Sequence, residues 1–203
     1  MIDRRKFYIN GNWKNPIIEN NFEIINPSNE ESYAVISLGS KEDVNLAVKS
    51  AREAFQSWSL IDKKEKITLL ENLLKIYNER WDEITQTMSD EMGAPLDWSS
   101  SAQTSSGADH ISDFIYRLKN FKFENKFQKN SNNYIVYEPI GVCGLITPWN
   151  WPINQITLKV IPALAAGCTM ILKPSEIAPL SGMLFAEIIH AAGFPQGVFN
   201  LVN

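Results

Sequence analysis

Apolar residues recur at the spacing of an α-helix in the first half of the chain. Over residues 44–58 they fall at positions 44, 47, 48, 51, 54, 55 and 58, which form one face of a helix. Ser40 and Asp43 precede this run with the spacing of a capping box. A second run predicts one longer helix from residue 67 to about residue 93, and a third helix is expected over residues 97–118.

Short β-rich runs lie before and after these helices. Residues 7–14, 22–27 and 33–38 predict a small antiparallel arm, and Asn10-Gly11 has the composition of a hairpin turn. Alternating side chains within residues 121–138 predict a protruding hairpin or ribbon.

The chain changes character near residue 140. Strands are predicted at residues 142–147, 168–173 and 198–202, and helices at 153–165 and 180–192. Strand–helix alternation with apolar strands indicates a parallel, doubly wound α/β sheet with flanking helices. Ligands of such sheets bind at the carboxyl ends of the strands, so the loops at residues 147–150 and 173–176 are the candidate site.

Composition narrows the function classes. The 203 residues carry 19 Lys and Arg against 23 Asp and Glu, and this acidic balance without a basic block argues against nucleic acid or anionic lipid as partners. Two cysteines cannot build a disulfide framework, and the first residues lack the apolar run of a signal peptide, so we expect a cytoplasmic protein. The uncharged run at residues 161–172 is too short to span a membrane.

Lys173 and Glu176 follow an otherwise uncharged strand in a region with few charges. Only four of the 42 charged residues lie in the last 64 positions. An ammonium donor beside a carboxylate acceptor suits a ligand with neighbouring hydroxyls, such as a dinucleotide ribose. The alternative is a surface ion pair beside a turn. The glycine-rich dinucleotide fingerprint follows none of the predicted strands.

Asn150 also follows a strand, where its amide can donate to an oxyanion on a substrate carbonyl. The alternative is an Asx-type turn cap. Cys143 and Cys168 lie in apolar runs and are interpreted as small buried hydrophobes rather than nucleophiles. His110 and His190 lie in predicted helices without partners at metal-ligand spacing, so we expect no metal site.

Linked motifs spread over nearly all 203 residues resemble those of the aldehyde dehydrogenase superfamily. The amino-terminal half contributes Tyr-Ile-Asn-Gly-Asn-Trp at residues 8–13, Asn-Pro at 26–27, Ala-Arg-Glu-Ala-Phe at 51–55 and Glu-Met-Gly-Ala-Pro at 91–95. The carboxyl-terminal half contributes Glu-Pro-Ile-Gly-Val-Cys-Gly at 138–144, Thr-Pro-Trp-Asn-Trp-Pro at 147–152, Pro-Ala-Leu-Ala-Ala-Gly-Cys at 162–168, Lys-Pro-Ser-Glu at 173–176 and Ala-Gly-Phe-Pro-Gln-Gly-Val at 192–198.

The resemblance implies roles for individual residues. Asn150 matches the amide that helps to form the family's oxyanion hole, and Trp151 stands where Phe or Tyr is more usual. The implied cofactor is NAD, with NADP as an alternative, because the Glu176 carboxylate would repel a 2′-phosphate. The implied cofactor-binding residues are Ile146, Thr147, Pro148, Trp149, Lys173, Ser175 and Glu176.

The resemblance further implies oxidation of an aldehyde to a carboxylic acid through a cysteine thiohemiacetal and thioester. The family's catalytic cysteine and general-base glutamate have no counterpart in these 203 residues, so we expect an amino-terminal portion of the fold that is inactive alone. The alternative is a non-catalytic fragment with weak nucleotide binding or partner association. A homo-oligomer is implied for the full-length form.

The sequence predicts three regions. Residues 1–120 form the β arm and helices of the cofactor-binding domain, residues 121–139 begin the oligomerisation arm, and residues 140–203 begin the Rossmann-like sheet. We expect residues 198–202 to form an uncovered edge strand, which would make the chain poorly soluble or partly disordered over its last 60 or so residues.

Overall fold

The computed structural model describes residues 1–129 and 132–203. Its strands are β1 (Ile2–Asp3), β2 (Phe7–Ile9), β3 (Asn12–Lys14), β4 (Asn21–Asn26), β5 (Glu31–Ser37), β6 (Glu124–Lys126), β7 (Tyr134–Val136), β8 (Val142–Ile146), β9 (Thr169–Lys173) and β10 (Phe199–Leu201). Its α-helices are α1 (Lys41–Trp58), α2 (Lys63–Glu79), α3 (Trp81–Met92), α4 (Leu96–Trp98), α5 (Ser105–Asn120), α6 (Pro152–Ala166) and α7 (Leu180–Ala191).

The main sheet has five strands in the order β3-β2-β10-β9-β8. β8, β9 and β10 are parallel, whereas β2 pairs antiparallel with both β10 and β3. Two smaller sheets have the orders β1-β5-β4 and β6-β7. The predicted mixed α/β architecture with a parallel sheet is confirmed.

The expectation that the last strand is an uncovered edge is wrong. β10 is fully buried and lies between β2 and β9, because β2 pairs with the side of β10 that would otherwise be an edge. The edge strand next to β9 is β8, whose residues are exposed or half-buried. The expected low solubility therefore loses this physical argument and stays a prediction.

Both faces of the sheet are covered. Ile171 and Val202 point towards α1, where they pack with Ala47 and Ala51. Side chains on the opposite face, such as Leu172, join the larger core, to which α2, α3, α5, α6 and α7 all contribute. No helix in the described ranges combines the length and apolarity required to cross a bilayer.

The helices of the first half begin and end near the predicted positions, with one correction. Ser40 and Asp43 form the predicted capping box at the start of α1. The single long helix expected up to residue 93 is instead two helices, which are separated at Arg80, where φ is -102°. The Arg80 guanidinium forms ion pairs with the carboxylates of Glu83 and Glu187, each at 2.7 Å. The second of these contacts joins the start of α3 to α7.

The third predicted helix contains an irregular segment. A π-helical stretch, Ser99–Thr104, joins α4 to α5. The buried Tyr77 hydroxyl donates to the Thr104 carbonyl at 2.8 Å, at the point where the regular helix resumes. Helical periodicity carries no signal for such a bulge, since apolar positions continue on either side of it.

Both predicted hairpins are present. Asn10 and Gly11 adopt positive φ angles of 54° and 73° and join β2 to β3. β6 and β7 pair antiparallel as the predicted ribbon. The ribbon prediction at residues 130 and 131 falls outside the described residues. The proposed division into three regions stays a prediction.

Candidate functional site

Two predicted site loops meet at the carboxyl edge of the main sheet. Ile146, the last residue of β8, is in register with Lys173, the last residue of β9. Immediately beyond them, the Thr147 backbone N–H donates to the Lys173 carbonyl at 3.2 Å. The structure therefore brings together the two loops that strand order alone identified as the candidate site.

Lys173 and Glu176 form an ion pair in the loop that follows β9. The ammonium lies 2.7 Å from the carboxylate, and the two side chains are 43% and 41% exposed. A hydrogen bond from Lys173 lowers the pKa of Glu176, so this carboxylate is ionised at neutral pH. Both groups remain accessible to a ligand from the solvent side. The same geometry also fits the surface-pair alternative.

Ser175 has a local role in this loop. Its hydroxyl accepts a hydrogen bond from the Ile177 backbone N–H at 3.3 Å. This contact stabilises the turn and presents Lys173 and Glu176 on one side of it.

Asn150 is exposed in the loop between β8 and α6. The residue that precedes α6 is Trp151, and no side chain caps the first turn of this helix. Across the described residues, the Asn150 amide makes no hydrogen bond, so the Asx-cap alternative lacks its defining contact. The amide is free to donate to a ligand.

The remaining predicted residues differ in accessibility. Ile146 and Trp149 are 73% and 51% exposed, and Pro148 is exposed as well. Thr147 is only 3% exposed, and its buried hydroxyl oxygen has no hydrogen-bond partner in the described chain. Three of the four β8-end residues are therefore available for ligand contact, and Thr147 is available only through its backbone or a local rearrangement.

Sequence reasoning missed an aromatic neighbour of this site. Trp98, at the end of α4, packs edge-on against Trp151 with ring centroids 6.0 Å apart and an interplanar angle of 80°. Trp98 is half-exposed, so the pair forms an apolar wall next to Asn150 in sequence and space. Tryptophan in a predicted helix is usually a core residue, and the pattern carried no signal for this placement.

Sequence reasoning also missed the anchor of α7, the helix that follows the loop after β9. Glu91, 1% exposed, accepts hydrogen bonds from the Leu180 and Ser181 backbone N–H groups at 2.5 and 2.9 Å and from the Ser181 hydroxyl. Gly182 lets α7 approach Pro174 closely, since a Cβ there would lie 3.2 Å from the proline ring. The Glu-Met-Gly-Ala-Pro motif, which begins with Glu91, was the only sequence signal for this residue, and it did not indicate what Glu91 contacts.

Neither histidine lies at the site. His110 Nδ1 lies 2.9 Å from the Thr157 hydroxyl, and His190 Nδ1 lies 3.0 Å from the Tyr8 hydroxyl. Cys143 and Cys168 lie towards the amino ends of β8 and β9, at the opposite end of the sheet from Asn150. Within residues 1–129 and 132–203, no three His, Cys, Asp or Glu side chains are grouped to hold a metal ion.

The fold and candidate site define an α/β protein with exposed polar side chains at the carboxyl edge of a doubly wound sheet. Residues 13–203 match the aldehyde dehydrogenase family, and the chain belongs to this family. The resemblance found in the sequence motifs is confirmed.

Individual relatives agree with this assignment. The chain is 48% identical to a 3-succinoylsemialdehyde-pyridine dehydrogenase of a Pseudomonas species, matching all of this chain and 42% of that protein. It is 52% identical to a crystal structure of an aldehyde dehydrogenase from Bartonella henselae, with a TM-score of 0.98 over 100% of this chain and 43% of that one.

A third relative has been solved with ligands. A C291A mutant of aldehyde dehydrogenase C from Pseudomonas syringae, in complex with NAD+ and octanal, is 44% identical with a TM-score of 0.95. The alignment covers 98% of this chain and 40% of that structure. The present chain thus spans about two fifths of the length of the relatives that it matches.

Proposed function

We propose that these residues form the adenosine-ribose and oxyanion portion of an NAD-dependent aldehyde dehydrogenase. The observation that carries this proposal is the placement of Lys173, Glu176 and Asn150 in the two loops that leave the carboxyl ends of adjacent parallel strands. Each of the three side chains reaches solvent, and each offers the donor or acceptor that the proposed ligand requires.

The chemistry of the loop after β9 fits a dinucleotide. Neighbouring ribose hydroxyls both donate and accept hydrogen bonds, so a carboxylate and an ammonium side by side can bind them together. Because Lys173 keeps Glu176 ionised, its negative charge would disfavour a 2′-phosphate. This supports NAD over NADP, and NAD+ is bound in the Pseudomonas syringae relative.

Asn150 is proposed to donate its amide hydrogen to the oxygen of the aldehyde carbonyl as negative charge develops there. An amide that makes no internal hydrogen bond can donate without breaking an existing one. Bound NAD supplies the acceptor for the hydride that leaves the aldehyde carbon. The Trp98–Trp151 wall would pack against the apolar part of the aldehyde and restrict access of water.

On its own, this chain is proposed to bind the nucleotide without catalysing the oxidation. Its two cysteines lie at the other end of the strands from Asn150, so neither can attack a carbonyl held by that amide. We therefore propose that the 203 residues bind NAD but oxidise no aldehyde alone. A cytoplasmic location and homo-oligomer formation are proposed for the complete protein on family grounds.

Nucleotide binding by the purified chain tests the proposal. Isothermal titration calorimetry with NAD should give saturable binding, which Lys173→Ala weakens about tenfold or more, because a hydrogen bond to a charged group is worth about 1.5–3 kcal/mol. Lys75→Ala is the matched control, since Lys75 forms an exposed pair with Glu79 on α2 at 3.9 Å. Unchanged binding by a folded Lys173→Ala variant would contradict the assignment of the ribose site.

A further inference from the structure

A pair of cysteines lies on one face of the sheet, away from the proposed nucleotide site. Cys143 in β8 is in register with Met170 of β9, and Cys168 lies two residues before Met170. Side chains two residues apart along a strand point to the same face. Cys168 immediately precedes β9, so the two thiols are diagonal neighbours that interact with each other on the face that packs against the larger core.

A buried cation lies beside Cys168. Lys66 is 6% exposed, and its ammonium forms no ion pair with any carboxylate of the described chain. Its Nζ atom lies 4.8 Å from the centroid of the Phe123 ring. The same atom would lie 3.5 Å from a Cβ placed on Gly167, the residue immediately before Cys168.

A cavity leads from the surface to this cation. Its volume is about 440 Å³, and its lining includes Lys66, Phe123, Pro139 and Ala166. Small solutes can thus approach Lys66 and Ala166, which lies two residues before the buried Cys168. Cys143 itself is half-buried.

We propose that Cys143 and Cys168 form a redox-active dithiol, which a hydroperoxide converts into an intramolecular disulfide. Lys66 supplies the positive charge that reactive cysteines commonly have beside them. This modification site is separate from the proposed nucleotide site and does not depend on it.

The reaction proceeds in two steps. The sulfur of Cys168 attacks one oxygen of hydrogen peroxide, the O–O bond breaks, and one water and a cysteine sulfenic acid result. The thiol of Cys143 then attacks the sulfenic sulfur, the S–O bond breaks, and a second water leaves as the disulfide forms. The two thiols lose two electrons and two protons in total, and the peroxide is reduced to two waters.

The order of attack follows from the surroundings of the two thiols. Burial, and then the neighbouring Cys168, raise the pKa of the Cys143 thiol, which suits it to the second step rather than the first. β8 is an edge strand of the five-stranded sheet, and a Cβ built on Gly141 or Gly144 would meet no atom of the described chain within 4 Å. This strand can therefore make the small adjustment that disulfide geometry requires.

Mass spectrometry of the 203-residue chain tests the proposal. The reduced protein is treated with hydrogen peroxide, quenched with N-ethylmaleimide and digested without reductant. We expect a protein that is lighter by two hydrogens, takes up no maleimide and yields one cross-linked peptide pair containing Cys143 and Cys168. Two maleimides on the treated protein, or sulfinic and sulfonic acids without a cross-link, would overturn the proposal.

Variants separate the roles of the three residues. Cys143→Ser should stop at a sulfenic acid on Cys168, which dimedone traps. Lys66→Met should slow cross-linking about tenfold, because the variant lacks the positive charge that stabilises the negative charge on the attacking sulfur, whereas Lys75→Met should not. Oxidation of a folded Lys66→Met variant at the wild-type rate would overturn the role of the cation. If a variant fails to fold, the peptide map of the wild-type protein still shows whether the cross-link forms.

Discussion

The Glu91 carboxylate on α3 accepts the Ser181 backbone N–H at 2.9 Å and the Ser181 hydroxyl at the start of α7. This contact joins elements 90 residues apart, and α7 begins four residues after Glu176. Burial raises the pKa of Glu91 to about 7, although the hydrogen bonds from Ser181 and Leu180 act in the opposite direction. The carboxylate that binds the start of α7, after the loop that follows β9, therefore titrates near neutral pH.

Stability should depend on pH through Glu91. Its pKa is higher in the folded state than the ordinary value of 4.5, so folding takes up a proton between pH 4.5 and about 7. The stabilisation is complete below pH 4.5 and is lost as the pH rises through 7, with a total on the order of 3 kcal/mol. Urea unfolding from pH 5 to pH 8 measures this loss.

Glu91→Gln provides the reference for that measurement, because the amide mimics the protonated acid. Burial lowers the pKa of His110, which acts in the opposite direction in the same range, and the comparison of wild type with Glu91→Gln removes its contribution. As the pH rises, we expect the free energy of unfolding of the wild type to fall relative to that of Glu91→Gln. A constant difference would show that Glu91 does not titrate there.

Gly107→Ala should strongly destabilise the packing of α5 against α6. An added Cβ would meet the Tyr77 hydroxyl and would lie 2.5 Å from Ile153 Cγ2. Overpacking of this kind costs about 1–3 kcal/mol, which the urea midpoint would report. Gly144→Ala is the matched control, because its Cβ meets no atom of the described chain within 4 Å, and its effect should stay within about 0.5 kcal/mol.

Asn200→Ala should destabilise the main sheet. The buried amide donates to the carbonyls of Met170 and Gly197 at 3.1 and 2.8 Å, and its oxygen accepts from the Asn10 N–H at 3.0 Å. Loss of the side chain leaves these groups unpaired, at a cost of about 2–4 kcal/mol in chemical denaturation. The exposed Asn120, which donates only to the Tyr116 carbonyl, provides a control substitution with little effect.

Glu176→Gln should reduce discrimination between NAD and NADP. The amide keeps an acceptor for the ribose hydroxyl but removes the negative charge that opposes a 2′-phosphate. We expect NAD binding to fall a few-fold and NADP binding to rise, so that the ratio of dissociation constants narrows about tenfold. Parallel calorimetric titrations with the two nucleotides measure the ratio, and an unchanged ratio would mean that Glu176 does not face the 2′ position.

The sequence predicted those features that local chemistry determines. The Ser40–Asp43 capping box and the Asn10–Gly11 turn depend on neighbouring residues only, and both are present. The meeting of the loops that follow β8 and β9 was also predictable, because parallel strands place their carboxyl ends at one edge. The roles of Asn150, Lys173 and Glu176 were suggested by their chemistry at strand ends, were implied by the motif resemblance, and await the binding experiments.

Features that depend on distant residues were not predictable. β10 was expected at an edge, because strand alternation gives no sign that β2 returns to cover it. The separation of α2 from α3 depends on Arg80 contacting Glu187, which lies 107 residues away. Glu91 reads as an ordinary surface residue of an amphipathic helix until α7 is placed over it.

The position of β10 between β2 and β9 has a consequence for the order of events at the ribosome. Asn10 contacts Asn200, 190 residues later, so one side of β2 stays unpaired until those residues have been synthesised. Pairings of such long range form slowly, and the amino-terminal helices have time to assemble first. Pairing of β2 with β10 is thus expected only after residue 200 has been synthesised, and until then the nascent chain depends on whatever shields the unpaired side of β2.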